Sequence, residues 1–309
     1  MNEYVTFVFG VVCAGIGGEL FVRGAVGLAH WARISPGIIG ATIAAFATSS
    51  PELSVSINAA LAGEPQIAFG NALGSNVLNV ALILALALVI SGIQSPRDSV
   101  KRDFSVALLI PVITGVLFLD GELSRLDGLL MLCMFFAWLV AAVIEARKQR
   151  SAAQAVLGEQ RAWFAVLSCL AGLAFLVAAG NLIVAAARGI AISLGIDEFI
   201  VGATIVAVGT TVPELATTIT AKLRGHDEVG LGTILGSNIF NGVFIIGVAA
   251  VIHPITVAWR EVAIALAFGF VALVFAYPTR RGFIERRRGV LLLVLYAAYL
   301  ATILQSPAP

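Results

Sequence analysis

The sequence predicts an all-α polytopic membrane protein of ten transmembrane helices, built as two inverted five-helix repeats with helices 2 and 7 broken in the centre. Three observations predict it. The first is composition. Of 309 residues, 60% are hydrophobic and 12% charged, and the mean hydropathy is +1.00. Soluble domains hold about 45–50% apolar and about 25% charged residues. A soluble enzyme, a nucleic-acid binder and a disordered chain are excluded by that contrast. The second is segmentation: a span needs about 20 apolar residues, and the chain has room for about ten. The third is an internal repeat.

The elements follow in order. Helix 1 covers 4–30. It lacks a basic leader, so it is read as a span and not as a cleaved signal peptide. Gly15, Gly17 and Gly18 allow close packing, and Glu19 and Arg23, four apart, form an intrahelical pair; a gating role is the sharper alternative. Helix 2 (36–62) starts at Ser35-Pro36, an N-cap with proline at the first helical position. Helices 3, 4 and 5 cover 65–92, 104–119 and 126–146. A polar linker, 147–161, is too short to fold alone and divides the chain into 1–146 and 162–309. Helix 6 is 162–187. Helix 7 (198–223) can be capped by Asp197. Helices 8, 9 and 10 are 227–252, 260–277 and 288–305.

Smaller features fit this frame. Cys13, Cys133 and Cys169 lie in apolar segments and are read as buried small hydrophobes. His30, His226 and His253 fall near helix ends, and Trp31, Trp163, Trp259 and Tyr277 suit an interface belt. With the amino terminus outside, inside loops hold 15 lysines and arginines, including the 286–288 cluster, and outside loops hold 3. This positive-inside bias places both termini outside and the linker in the cytoplasm, as expected of an integral protein of a prokaryotic inner membrane.

Residues 40–79 and 202–241 align without a gap, and 19 of 40 positions are identical. Gly40-Ala41-Thr42-Ile43 matches Gly202-Ala203-Thr204-Ile205. Thr48, Pro51 and Glu52 match Thr210, Pro213 and Glu214. Gly74-Ser75-Asn76 and Asn79 match Gly236-Ser237-Asn238 and Asn241. The copies are separated by an odd number of helices, so they enter the membrane from opposite sides. An inverted repeat with a midplane site is a transporter architecture.

The repeated polar residues point to a cation site. Proline has no amide proton and disfavours helix at the preceding residue, so helix 2 should break at Thr48-Ser49-Ser50-Pro51-Glu52 and helix 7 at Thr210-Thr211-Val212-Pro213-Glu214. Ser49 or Ser50 can cap the new half-helix. A break at mid-membrane frees carbonyls that protein, water or an ion must satisfy. Thr48, Ser49, Glu52 and Ser56 share one helical face, as do Thr210, Thr211, Glu214 and Thr218. Asn71, Ser75 and Asn79 share a face of helix 3, and Thr233, Ser237 and Asn241 a face of helix 8. An unpaired charge at the bilayer centre costs about 2.5–3.5 kcal/mol or more. Two such carboxylates bind a cation or take up a proton. Oxygen-only donors select hard cations such as Ca²⁺, Na⁺ or Mg²⁺.

These motifs, in two copies, resemble the α-repeats of the calcium/cation antiporter superfamily, in its prokaryotic sodium/calcium exchanger branch. The resemblance implies that Glu52 and Glu214 are shared by a central Ca²⁺ site and flanking Na⁺ sites. It implies that Thr48 and Thr210 coordinate near the centre, and that Ser49 and Thr211, with Ser237 and Ser75, line the Na⁺ sites. Carbonyls of Ala45 and Ala207 contribute to these, and Asn79 and Asn241 flank the middle site. Two positions depart from the pattern. Ala47 stands where the family usually has glycine, which Gly209 keeps. Asn241 stands where many members carry aspartate, which argues against K⁺ co-transport.

The expected function is antiport of Ca²⁺ against Na⁺ by alternating access, with helices 1 and 6 as the moving gate. No cofactor and no obligate protein partner is implied; the partners are inorganic cations and the lipid bilayer. An H⁺/Ca²⁺ or other cation antiporter of the same fold is the rival, and a passive channel a remote one. No metalloprotease or serine-hydrolase motif is present.

Overall fold

The computed structural model describes residues 3–63, 65–95, 100–152, 162–193, 207–257 and 259–304. The first span is α1 (Glu3–Ala32). The second is broken into α2 (Pro36–Thr48) and α3 (Ser50–Leu61), which meet at 45°. Then come α4 (Pro65–Ile90), α5 (100–117), α6 (Arg125–Ala152) and α7 (Ala162–Ser193). The seventh span shows α8 (Ala207–Thr210) and α9 (Val212–Leu223). It is followed by α10 (Asp227–Ile252), α11 (Trp259–Ala276) and α12 (Arg286–Leu304). Asp197 and the start of the expected seventh helix lie outside the described residues.

Glu3–Ala32, Pro65–Ile90, Arg125–Lys148 and Asp227–Ile252 are each long and apolar enough to cross a bilayer alone, and the bent pair α2–α3 adds another crossing. Phe136, Val140, Val143 and Ile144 leave an apolar surface exposed on α6. In water that surface would be costly; against lipid tails it is not. Cys133 is exposed on the same helix, whereas Cys13 and Cys169 are buried as expected.

The break in the second span falls at Ser49, the earlier of the two expected cap positions. Ser49 leaves helical geometry (φ −86°, ψ 10°), while Ser50 is already helical and Pro51 is the second residue of α3. Proline is tolerated there because first-turn amides have no partner inside the helix. Its missing N–H would have reached the carbonyl of Ala47. The Ser50 hydroxyl donates to that carbonyl instead, at 2.7 Å. Ser49 makes no side-chain cap bond to α3. The second repeat breaks in the same way at Thr211 (φ −90°, ψ 5°), with Pro213 second in α9.

The inversion is visible in four short strands: β1 (Ile93–Gln94), β2 (Glu122–Leu123), β3 (Ile255–Thr256) and β4 (Phe283–Ile284). β1 pairs with β4, Ile93 opposite Ile284, and β2 pairs with β3, Glu122 opposite Thr256. Each pair joins one repeat to the other. β1 follows α4 and β3 follows the equivalent α10, yet they lie in separate pairs. Because α5 runs from β1 to β2, the two pairs sit at its opposite ends, and the two equivalent helices end at opposite faces.

α4 and α10 form the centre. Residues Val229 to Asn238 of α10 are all buried, and Leu231, Ile234 and Leu235 share a core with Val77, Leu84, Leu88 and Phe104. Both helices loosen into π-helical turns, Asn79–Leu84 and Phe240–Ile245. Such turns are rare and concentrate at functional sites.

α1 and α7 pack backbone to backbone. A Cβ at Gly24 would sit 2.6 Å from the Cys169 amide nitrogen, and one at Gly172 would sit 2.5 Å from that of Phe21. Gly17 and Gly18 also approach neighbouring helices, but Gly15 faces open space. Glu19 is less local than expected. Its contact with Arg23 is 3.4 Å, whereas Arg224, on the turn after α9, reaches it at 2.8 Å.

Candidate cation site

The two helix breaks and the middles of α4 and α10 converge. Thr48, Ser49, Glu52 and Ser56 from the second span are buried, as are Thr211, Glu214 and Thr218 from the seventh. Ser75 and Asn79 of α4 and Ser237 and Asn241 of α10 are fully buried beside them. Thr210 is half-buried. Ala45 lies in α2, one turn before the break. Its carbonyl accepts from the Ser49 amide at 2.9 Å and from the Thr48 hydroxyl at 3.4 Å. Ala207 opens α8, the equivalent half-helix.

Bonding across the repeat interface is direct. Ser49 Oγ lies 2.8 Å from Glu214 Oε1 and 2.9 Å from Ser237 Oγ. Ser237 Oγ is 3.3 Å from the same carboxylate oxygen. This explains why Ser49 does not cap α3: its hydroxyl is used by the other repeat. Under the pseudo-twofold, the counterpart of this cluster is Thr211, Ser75 and Glu52. There the pattern differs, because Ser75 Oγ and both Glu52 oxygens complete no hydrogen bond. The hydroxyl of Thr210 is set against Glu52, and that of Thr48 against Glu214. Glu214 is also the charge that faces Glu52.

Buried polar atoms are nearly always partnered. Here Glu52 Oε1 and Oε2, Glu214 Oε2, Ser75 Oγ, Asn79 Oδ1 and Asn241 Oδ1 are buried without a partner. Asn241 Nδ2 is unpartnered as well, but the rest of these are oxygens, and two belong to a carboxylate fully enclosed by protein. Among the described residues no group of three or more His, Cys, Asp or Glu side chains comes together. The donor set therefore rests on two carboxylates completed by hydroxyls and amide carbonyls, which suits a hard cation.

Some expected members of the helix faces do not join in. Thr233 donates to the Val229 carbonyl of its own helix at 2.9 Å. Conversely, Asn76 and Asn238 contribute contacts that no spacing rule assigned to them. Asn76 Nδ2 donates to the Asn238 carbonyl at 3.1 Å, and Asn238 Nδ2 donates to the Asn76 carbonyl at 3.2 Å. Asn79 Nδ2 donates to Asn238 Oδ1 at 3.1 Å. Their identical positions in the two copies were the available signal.

The profile of the sodium/calcium exchanger protein family matches residues 2–144 and 164–305, both repeats and nearly all of each. The chain belongs to the sodium/calcium exchanger family. Among family relatives, the inner membrane protein YrbG of Escherichia coli is 36% identical over 72% of this chain and 71% of its own. The sodium/calcium exchanger MaX1 of Methanosarcina acetivorans is 29% identical over 97% of this chain and 98% of its own. A solved structure of the sodium-calcium exchanger NCX_Mj, soaked with 100 mM Na⁺ and 10 mM Sr²⁺, matches at a TM-score of 0.85 and 28% identity, over 99% of both chains. As a family member, the chain is an integral membrane protein of the ten-helix inverted-repeat fold.

Proposed function

We propose that this chain is a secondary active antiporter that exchanges Ca²⁺ for Na⁺ across the membrane by alternating access. The observation that carries this is the pair of buried glutamates, Glu52 and Glu214, one from each inverted repeat, in which both oxygens of Glu52 and Oε2 of Glu214 complete no hydrogen bond. Two carboxylates in a low-dielectric site demand compensating positive charge. One Ca²⁺ supplies it, and so do Na⁺ ions. The two occupations compete for the same charge, and that competition couples them.

In this reading Glu52, Glu214, Thr48, Thr210, Asn79 and Asn241 surround the central ion, whose coordination calls for about 6–8 oxygens. Ser49, Glu214 and Ser237 flank one Na⁺ position, and Thr211, Glu52 and Ser75 flank the other. The carbonyls of Ala45 and Ala207 complete them. The halves 1–146 and 162–309, joined by linker 147–161, each supply half a site. The α1–α7 pair is the gate. Both termini lie outside and the linker lies in the cytoplasm.

The test is Ca²⁺ uptake into proteoliposomes under an outward Na⁺ gradient, an outward H⁺ gradient, or neither, with Glu52→Gln as control. Uptake driven by Na⁺ and absent in the variant is expected. Uptake with H⁺ alone would assign the same site to H⁺/Ca²⁺ antiport. Uptake with no counter-ion would make the protein a channel.

A further inference from the structure

We propose that Asn76 and Asn238 are positioning residues, each of which holds the cation-site asparagine of the opposite repeat so that its carbonyl oxygen is presented to the ion. This rests on the cation site proposed above.

The argument starts from the reciprocal pair. Asn238 Nδ2 donates to the Asn76 carbonyl, so the Asn238 amide cannot flip without placing an oxygen against an oxygen. Its Oδ1 is thereby fixed, and Asn79 Nδ2 donates to it at 3.1 Å. Because an amide carries its nitrogen and oxygen on opposite sides of one carbon, this bond turns Asn79 Oδ1 away from Asn238. That oxygen is buried and has no protein partner.

The other half is present but open. Asn76 Nδ2 is fixed by the Asn238 carbonyl, which leaves Asn76 Oδ1 buried and unpartnered. Both amide atoms of Asn241 are buried and unpartnered as well. The Asn76 amide lies beside the backbone next to Asn241: a Cβ at Gly242 would sit 3.2 Å from Asn76 Nδ2. A bond from Asn241 Nδ2 to Asn76 Oδ1 would repeat the Asn79–Asn238 bond under the pseudo-twofold and free Asn241 Oδ1 for the ion. An aspartate at 241 could not make it, since an ionised carboxylate has no proton to donate. Asparagine at 241 gives the site two oriented carbonyls in place of a third charge.

The experiment is a pair of double-mutant cycles on the full chain in proteoliposomes, reading KM for Ca²⁺ and maximal Na⁺-driven uptake separately. Asn238→Ala should raise the Ca²⁺ KM about tenfold, with maximal uptake within about twofold, as loss of one orienting hydrogen bond would. In an Asn79→Ala background the same change should add less than about twofold, because nothing remains to orient. Asn76→Ala should behave likewise against Asn241→Ala, and should be silent against Asn241→Asp. The second cycle stands alone if Asn238→Ala does not fold. Equal losses in both backgrounds, or no loss in the single variants, would overturn the proposal. If Asn79→Ala and Asn241→Ala themselves left the Ca²⁺ KM unchanged, the cation-site reading would fail first.

Discussion

Glu214 Oε1 meets two hydroxyls, one from its own repeat and one from the other, while Glu52 completes no hydrogen bond. Sequence-equivalent residues thus stand in different bonding states. In the proposed site both carboxylates are nonetheless needed to neutralise a divalent ion. Glu52→Gln and Glu214→Gln should each lower Na⁺-driven Ca²⁺ uptake by more than about tenfold, since each removes a full charge from a buried ion partner. Flux assays on purified variants check this. Ser49→Ala leaves both charges but removes the hydroxyl that bridges the repeats. Its melting free energy should fall by about 1 kcal/mol, and its Na⁺ half-saturation should rise several-fold. The glutamates were legible in the sequence because Pro-Glu inside an apolar segment breaks two local rules at once. The target of Ser49 was not, because Glu214 lies 165 positions away and only the helix crossing brings it near.

At the element scale, the breaks were legible to within one residue, since proline acts on its own backbone. Of the two cap positions left open, the structure takes Ser49, because Ser50 is helical and its hydroxyl takes over the Ala47 carbonyl. Pro51→Ala restores an N–H in reach of that carbonyl and favours one continuous helix. The variant should melt at or above the wild-type temperature yet lose at least about tenfold in transport, which thermal scans and flux assays separate. The α1–α7 contact predicts the reverse. Gly172→Val drives a branched side chain into the Phe21 backbone and should cost about 1–3 kcal/mol or more of stability together with activity. The Glu19–Arg224 pair was missed because its members belong to separate elements. With side chains 30% and 60% exposed, it should add little to stability.

For the whole molecule, helix number and inversion were readable from hydropathy and an ungapped repeat, but the strand pairs were not. Two-residue strands carry no periodic signal, and their partners lie in opposite halves. These pairs place residues 93–94 and 283–284 on one face and residues 122–123 and 255–256 on the other. In a background with Cys13, Cys133 and Cys169 replaced by serine, Gln94→Cys and Phe283→Cys should react only with reagent on the cytoplasmic side. Glu122→Cys and Thr256→Cys should react only from outside. All four labelling from one side would refute the inverted arrangement. The same pairing sets the timing of biogenesis. Ile93 leaves the ribosome long before Ile284, and at about 5–20 residues per second its partner arrives roughly 10–40 s later. Until then the first half carries an open strand edge, and one face of the protein stays unlatched until Phe283 and Ile284 have been made.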